Sequence, residues 1–437
     1  MSAKSNSLLI KNGRLVDPAS RIDAEMDILL RDGKVAEVAR KGNTRGSAGE
    51  IFDARGHIVA PGFIDMHVHL REPGQSHKET IATGTHAAAA GGFTSVCAMP
   101  NTDPVNDSAE ITAWMRAPER GAIVNVFPVA AATVGSLGEK LTDFRALQRV
   151  GAVALTDDGK PILDDAIMRE VLRQAAQLRM PVIQHAEDTR LTAGATMNSG
   201  PTAFRLGLRG MTEEAEAAIV ERDIKLAAQT KSQLHVAHIS TSAALKAVRK
   251  AKRERLRVSC EITPHHFTLI DEDVGADSSL ALYDSRFKMN PPLRSAADRE
   301  AMLAALADGA IDAIATDHAP HAAEEKYAEF DRAPFGITGL ETALGLAISR
   351  LHRDKRVPLT RIVELFSSNP ANLLNLSGRG SLAAGSHADV TIFDPGKRWI
   401  YSAEHSRSKS KNSPFDGWVL HGKVVATIVS GNIVHRP

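Results

Sequence analysis

Gly62-Phe-Ile-Asp-Met-His-Val-His-Leu-Arg-Glu-Pro-Gly74 is the stretch from which the fold can be read. Ile58, Val59 and Ala60 lead into it, so a β-favouring apolar run reaches to about residue 67 before Pro73-Gly74 ends it. His67 and His69 are two apart, and on a strand they point to one face. Two imidazoles converging from one strand end can grip a divalent ion such as Zn2+. Taken alone, the pair suits two half-buried strand histidines equally well.

Outward from this stretch the pattern is strand, loop, helix, repeated. Eight strands are expected, at 58–67, 94–99, 123–130, 151–156, 181–184, 233–237, 257–262 and 311–316. Helical periodicity lies between most of them, over Thr80–Ala90, Ala166–Leu178, Met211–Gln229, Ala243–Lys252 and Ala296–Ala307. Strands alternating with helices imply a parallel sheet, and eight such units imply a closed (β/α)8 TIM-like barrel. Before residue 58 and after Asn369-Pro-Ala-Asn-Leu-Leu the style is hairpin-like instead. Ser7–Ile10, Asn12-Gly13 and Arg14–Val16 read as strand, tight turn, strand, and Asp27–Leu30, Asp32-Gly33 and Lys34–Val38 repeat the pattern. Ala388–Phe393, Gly417–His421 and Val424–Val429 read as strands near the other end. The shared style predicts that both chain ends pair into one small β-sandwich domain. The expected division is 1–57 and 381–437 for that domain and 58–380 for a catalytic barrel. Ser402–Ser413 is expected to be a surface segment with little regular structure.

The 437 residues suit a barrel of about 250 residues or more with a smaller companion. Lys+Arg 53 against Asp+Glu 52 leaves no charge excess to draw the protein to nucleic acid or to a membrane. The basic run Lys246–Arg257 reads as the solvated face of an outer helix. Cys97 and Cys260 sit in apolar strand-like runs, as buried thiols of a reducing compartment would. With no signal-peptide pattern and no bilayer-spanning apolar run, a cytoplasmic enzyme is expected.

A (β/α)8 barrel carries its chemistry at the C-terminal strand ends. There the first strand offers His67 and His69, the fourth Thr156-Asp157-Asp158-Gly159, the fifth His185, the sixth His238 and the eighth Asp317. A single histidine at a strand end is usually a hydrogen-bonded loop residue. Agreement across five strands points to one metal centre, because neutral imidazole with carboxylate is a ligand set for zinc or a similar ion. The other histidines, including His235, are expected to have no part in it. His265 or His266 can line the mouth without ligating, and His318 should point away from Asp317.

The motifs Asp65-Met-His-Val-His-Leu-Arg-Glu-Pro-Gly74, Met99-Pro-Asn-Thr102, Asn290-Pro-Pro-Leu-Arg294, Thr316-Asp-His-Ala-Pro-His321 and Ser413-Pro-Phe-Asp-Gly-Trp418 resemble those of dihydroorotase, in the amidohydrolase superfamily. The resemblance covers nearly the whole chain. It implies reversible closure of N-carbamoyl-L-aspartate to L-dihydroorotate in pyrimidine synthesis, with one or two Zn2+ per chain. It is closest to the branch that has Asp where most of the superfamily has a carboxylated bridging Lys. In that reading the ligands are His67, His69, Asp158, His185, His238 and Asp317, with Asp157 the alternative to Asp158. The resemblance further implies that Asp317 is the general acid–base and that Arg71, Asn101 and His321 grip the substrate carboxylate. His69 and Asn290, with the backbone at Phe335 and Gly336, complete the substrate contacts. A homo-oligomer is expected, with association with aspartate transcarbamoylase as a possible further partnership. The rival readings are another cyclic amidohydrolase (dihydropyrimidinase, hydantoinase or allantoinase) and a non-catalytic dihydroorotase-like subunit. Two long connections, Glu187–Gly210 and His321–Gly336, are candidate lids.

Overall fold

The computed structural model describes residues 7–275 and 283–437. Its strands in chain order are β1 (Ser7–Asp17), β2 (Ile22–Arg31), β3 (Lys34–Arg40), β4 (Glu50–Asp53), β5 (Ile58–Pro61), β6 (Phe63–Val68), β7 (Phe93–Ala98), β8 (Asn125–Ala130) and β9 (Ala154–Leu155). They continue as β10 (Val182–Gln184), β11 (Met197–Asn198), β12 (Gly210–Met211), β13 (Leu234–Val236), β14 (Val258–Ile262), β15 (Ala313–Ile314), β16 (Val390–Ile400), β17 (Val419–Val429) and β18 (Asn432–His435).

One eight-stranded sheet runs β6-β7-β8-β9-β10-β13-β14-β15, with every neighbouring pair parallel. A bridge between Val68 and His318, with the His69 N–H donating to the His318 carbonyl at 2.9 Å, brings its first and last members together. This is the expected barrel. Its helices start where the sequence offers a side-chain acceptor: Thr80, Asp164, Thr241 and Ser295 each cap the free N–H groups of the helix that follows. Met168, Val171, Leu172 and Ala175 then bury one stripe of the helix Asp165–Leu178. The basic run behaves as expected. Lys246, Lys250 and Arg253 face solvent while Leu245, Val248 and Ala251 face the sheet. No described helix is long and apolar enough to cross a membrane.

The two chain ends form a second sheet, ordered β18-β17-β16-β5-β1-β2-β3, with β4 paired to β1. It has its own core, in which Ile10, Ile28, Val390, Ile392 and Ile428 are fully buried. The seam is β5, parallel to β1 on one side and antiparallel to β16 on the other.

Three local expectations change. The single strand expected over 58–67 is broken at Gly62, with β5 in the end sheet and β6 in the barrel. The break needs glycine, because a Cβ at residue 62 would lie 2.1 Å from the Thr94 hydroxyl. Asn12-Gly13 is not a hairpin turn. It is a bulge within β1, where the pairing with β2 slips between Ile10 and Gly13 and Asn12 takes a φ of 62°. The Asp32-Gly33 turn does join β2 to β3, and both of its residues have positive φ as such turns require. Ser402–Ser413 lacks regular structure, but Ser408, Ser410, Asn412 and Ser413 are buried, so it is a strap and not a surface loop.

Gly62→Ala is expected to cost ~1–3 kcal/mol, because the added methyl must displace the Thr94 side chain. Thermal denaturation of the variant beside the parent measures it, and an unchanged midpoint would mean that the seam tolerates a side chain there.

Candidate active site

At the C-terminal end of the barrel six side chains meet, all at most 5% exposed: His67, His69, Asp158, His185, His238 and Asp317. They come from β6, from the loop after β9 and from the ends of β10, β13 and β15. His67 Nε2 lies 3.4 Å from Asp158 Oδ1 and 3.5 Å from Asp317 Oδ1. His69 Nε2 is 2.9 Å from Asp317 Oδ1, and His185 Nδ1 is 2.9 Å from His238 Nε2 and 3.8 Å from Asp158 Oδ1. Three overlapping groups have their donor atoms within 4.8 Å of one another: His67, His69 and Asp158; His67, His238 and Asp317; Asp158, His185 and His238.

The hydrogen bonds behind the imidazoles decide which nitrogen each presents. His67 Nδ1 is 3.0 Å from Glu261 Oε1, His69 Nδ1 is 2.7 Å from Asn101 Oδ1, and His185 Nε2 is 3.0 Å from Glu187 Oε2. Each of these partners is an acceptor, so each outer nitrogen carries the proton and donates it. The inner nitrogens are left with lone pairs aimed at the cluster. Among the described residues His67 Nε2 is buried without a well-formed hydrogen bond, its nearest neighbours being the Asp158 and Asp317 carboxylates. A lone pair without a partner, two carboxylates and three oriented imidazoles fit a divalent cation. Burial pulls the His67 imidazole down, but without an ion in the cluster Asp158 and Asp317 outweigh it and push the ring well above its usual range, whereas burial, with His185 and His67, holds His238 well below its own. Burial pushes Asp158 up, but His67 first, then His69 and His185, outweigh it, a task that a bound cation would take over.

Of the two aspartates left open at the fourth strand, Asp158 joins the cluster. Asp157 is turned toward Thr133, accepting from its backbone N–H at 3.0 Å and from its hydroxyl. His238 and Asp317 have φ of 29° and 45°, and Arg71 has 61°. Such backbone is costly for residues with a Cβ, and it collects where geometry is demanded by function.

The remaining expected site residues line a cavity of about 340 Å3 beside the cluster: Arg71, Asn101, Asn290, His321 and Phe335. Arg71 is only 8% exposed, yet it makes no ion pair among the described residues. Its Nε donates to the Pro320 carbonyl at 3.1 Å, and its Nη2 faces His321 Nε2 at 3.3 Å. Burial pulls its guanidinium down to about 10, against the pull of Asp317 and Asp158. Asn101 spans His69 and Asp158, donating to Asp158 Oδ2 at 3.2 Å. Gly336 does not line the cavity. Its N–H donates to the Lys288 carbonyl and its own carbonyl accepts from Asn412 and Lys326, which leaves Phe335 as the member of that pair lining the cavity. His266 bonds Thr263 and the Pro291 carbonyl, and His318 pairs with Glu79, so neither enters the cluster.

The chain resembles known proteins over its whole length. Residues 56–244 match the family model described as "Dihydro-orotase-like". A dihydroorotase of Solibacter usitatus is 49% identical over 98% of this chain and 97% of its own length. One of Anaeromyxobacter dehalogenans is 48% identical over 99% and 98%. The chain belongs to the dihydroorotase family. Among solved structures, the L-hydantoinase (dihydropyrimidinase) of Arthrobacter aurescens superposes with a TM-score of 0.85 over 98% of this chain and 96% of that one, at 26% identity. The family is one of cyclic amide hydrolases, and the hydantoinase likeness places the barrel among enzymes of related chemistry.

Two residues that sequence reasoning missed stand behind the cluster of this family member. Glu261, fully buried on β14, takes His67 on one oxygen and His235 on the other at 3.2 Å. Burial pushes its carboxyl up, but the hydrogen bonds from His235 and His67 overcome this and bring it to about 2. Glu187 takes His185 and Asn290 on the same oxygen. The available signal was a glutamate inside the apolar run Arg257–Ile262, where a charge must have a partner.

Glu261→Gln is expected to weaken metal affinity 10–100-fold, the usual scale for such outer partners, without unfolding the barrel. Titration of metal into stripped protein by calorimetry measures this. Parent-like affinity would show that Glu261 serves packing alone.

Proposed function

We propose that this chain is a dihydroorotase that closes N-carbamoyl-L-aspartate to L-dihydroorotate and opens it again, with zinc as its ion, in the synthesis of UMP. The observation that carries the reading is Arg71, a buried guanidinium without an ion pair among the described residues, beside a cluster fit for a divalent metal. A buried cation calls for an anionic partner. Dihydroorotate brings a carboxylate outside its ring, and Arg71 meets it in two-pronged fashion with His321 and Asn101 beside it. Hydantoin and dihydrouracil rings have no such group, which weighs against the other cyclic amidohydrolases. The full set of donor residues weighs against a non-catalytic subunit.

In this reading His67, His69, Asp158 and Asp317 hold one ion, and Asp158, His185 and His238 hold a second, more weakly. A bound divalent ion polarises the amide carbonyl and lowers the pKa of water. The chain does the rest. Asn290 and the Phe335 backbone orient the ring amide. In the hydrolytic direction Asp317 takes a proton from the attacking water and delivers it to the ring nitrogen as the carbon–nitrogen bond breaks. In the reverse direction it takes the proton from the carbamoyl nitrogen as that nitrogen attacks the side-chain carboxyl carbon, and gives it to the departing oxygen. His321 is kept neutral, at about 3, by burial and by Arg71, Lys78 and Lys326, so it adds a hydrogen-bonding ring to the grip and no second charge.

The domains are taken as expected, 1–57 with 381–437 and 58–380, except that β5 (Ile58–Pro61) goes with the end sheet and the barrel begins at residue 62. Two free, buried cysteines support a reducing, cytoplasmic setting. A homo-oligomer, and association with aspartate transcarbamoylase, are carried forward as part of this reading.

Purified protein assayed with dihydroorotate, hydantoin and dihydrouracil tests the reading. Turnover of dihydroorotate alone is expected, lost on chelation and restored by zinc. Preference for either neutral ring would overturn it. Asp317→Asn should lower kcat at least ~10²-fold. Arg71→Lys keeps the charge but loses the fork, and should raise KM in both directions. His185→Ala should lose the second ion and keep the first, as metal analysis would reveal, whereas His67→Ala should lose the first. The opposite order would reverse the proposed affinities.

A further inference from the structure

The strap Ser402–Ser413 reaches the active site through one side chain. Asn412 is 4% exposed, and its amide is used on both sides. Its Oδ1 accepts from the His321 backbone N–H at 3.1 Å, and its Nδ2 donates to the carbonyls of Ala319 and Gly336 at 3.0 Å each. Its own carbonyl accepts from the Thr338 N–H at 3.0 Å. Asn412 therefore ties the segment after β15, which carries Asp317 and His321, to the segment that carries Phe335. These two segments lie side by side, bridged between His318 and Ile337, and both line the cavity.

The tie is close. At Gly336, with φ of +154°, a Cβ would lie 2.5 Å from the Ala319 carbonyl oxygen and 2.7 Å from His321 Cδ2. Lys326 holds the same carbonyl from another direction, donating to Gly336 at 3.1 Å and to Pro334 at 2.9 Å. The strap is itself anchored: Ser408 and the Lys409 N–H reach the buried Glu79, and Ser410 donates to the Lys78 carbonyl at 2.6 Å. Position 412 has a chemical requirement. The group there must accept from one N–H and donate to two carbonyls, and an amide does both. A carboxylate would face two carbonyl oxygens with no proton to share.

We propose that Asn412 is a positioning residue for substrate binding, setting the His321 ring beside Arg71 and holding the adjoining Phe335–Gly336 segment against it, so that the grip on the substrate carboxylate is preformed. This rests on the reading of the reaction given above. Asn412 touches no substrate and acts through His321. Because the metal cluster lies outside its contacts, its loss should be felt in binding far more than in turnover.

The experiment compares Asn412→Ala, Asn412→Asp, His321→Ala, the double variant Asn412→Ala/His321→Ala and the control Ser410→Ala, all in the full chain with metal restored. The expected result for Asn412→Ala is a KM for dihydroorotate raised at least ~10-fold, with kcat within about threefold and metal content unchanged. Asn412→Asp should be worse than Asn412→Ala. The double variant should have a KM close to that of His321→Ala alone, because a residue acting through His321 has nothing left to position. Ser410→Ala loosens the strap without touching His321 and should keep the parent KM. Additive effects in the double variant, or an equal rise in Ser410→Ala, would overturn the proposal and leave Asn412 as structural support. If Asn412→Ala does not fold, Asn412→Ser takes its place in the same cycle with the same criteria. A parent protein with restored metal that does not turn over dihydroorotate would remove the underlying reading. A parent that does, with KM unmoved at position 412, removes only this inference.

Discussion

Everything at the mouth of this barrel depends on where three imidazole protons are parked. Glu261, Asn101 and Glu187 each take an N–H from the far side of a ring, and in doing so turn the near nitrogen inward. Without those acceptors a neutral histidine is free to present either nitrogen, and the cluster would be a set of competing tautomers. The arrangement links otherwise separate tasks. Asn101 joins His69 to Asp158, and Glu187 joins His185 to Asn290, so the groups expected to hold metal and those expected to hold substrate share supports. From Asn290 to His185 the connection is two hydrogen bonds in series, both on one Glu187 oxygen.

The barrel and five of the six clustered residues were legible in the sequence because they depend on periodicity and on strand ends. His67 and His69 announce themselves by spacing, and His185, His238 and Asp317 by following apolar runs. The choice between Asp157 and Asp158 was not legible from the residues, since it turns on which of two adjacent carboxylates Thr133 captures. The break at Gly62 was hidden for a similar reason. The run from Ile58 to His67 is continuous in hydrophobicity, and what interrupts it is a change of sheet, from β16 and β1 beside Ile58–Pro61 to β7 beside Phe63–Val68. Glu261 and Asn412 were missed because their partners lie far away in the chain, at residues 67 and 235 for the first and 319, 321 and 336 for the second. Ser- and Lys-rich composition suggested solvent for the strap. Its buried serines and asparagine spend their hydrogen bonds on the barrel rim, which composition alone does not reveal.

The left-handed backbone at Arg71, His238 and Asp317 carries a consequence for how this molecule responds to selection. Each of these residues holds a conformation that a side chain with a Cβ adopts at a cost, and the surrounding packing sustains it. Glycine or asparagine at these positions would relax the chain locally. The same backbone recurs at the helix ends Arg179 and Lys231, where glycine would relieve it without touching the cluster. A stability screen run without an activity screen would not tell the two kinds of site apart, and at the three active-site positions it would return sturdier, idle proteins.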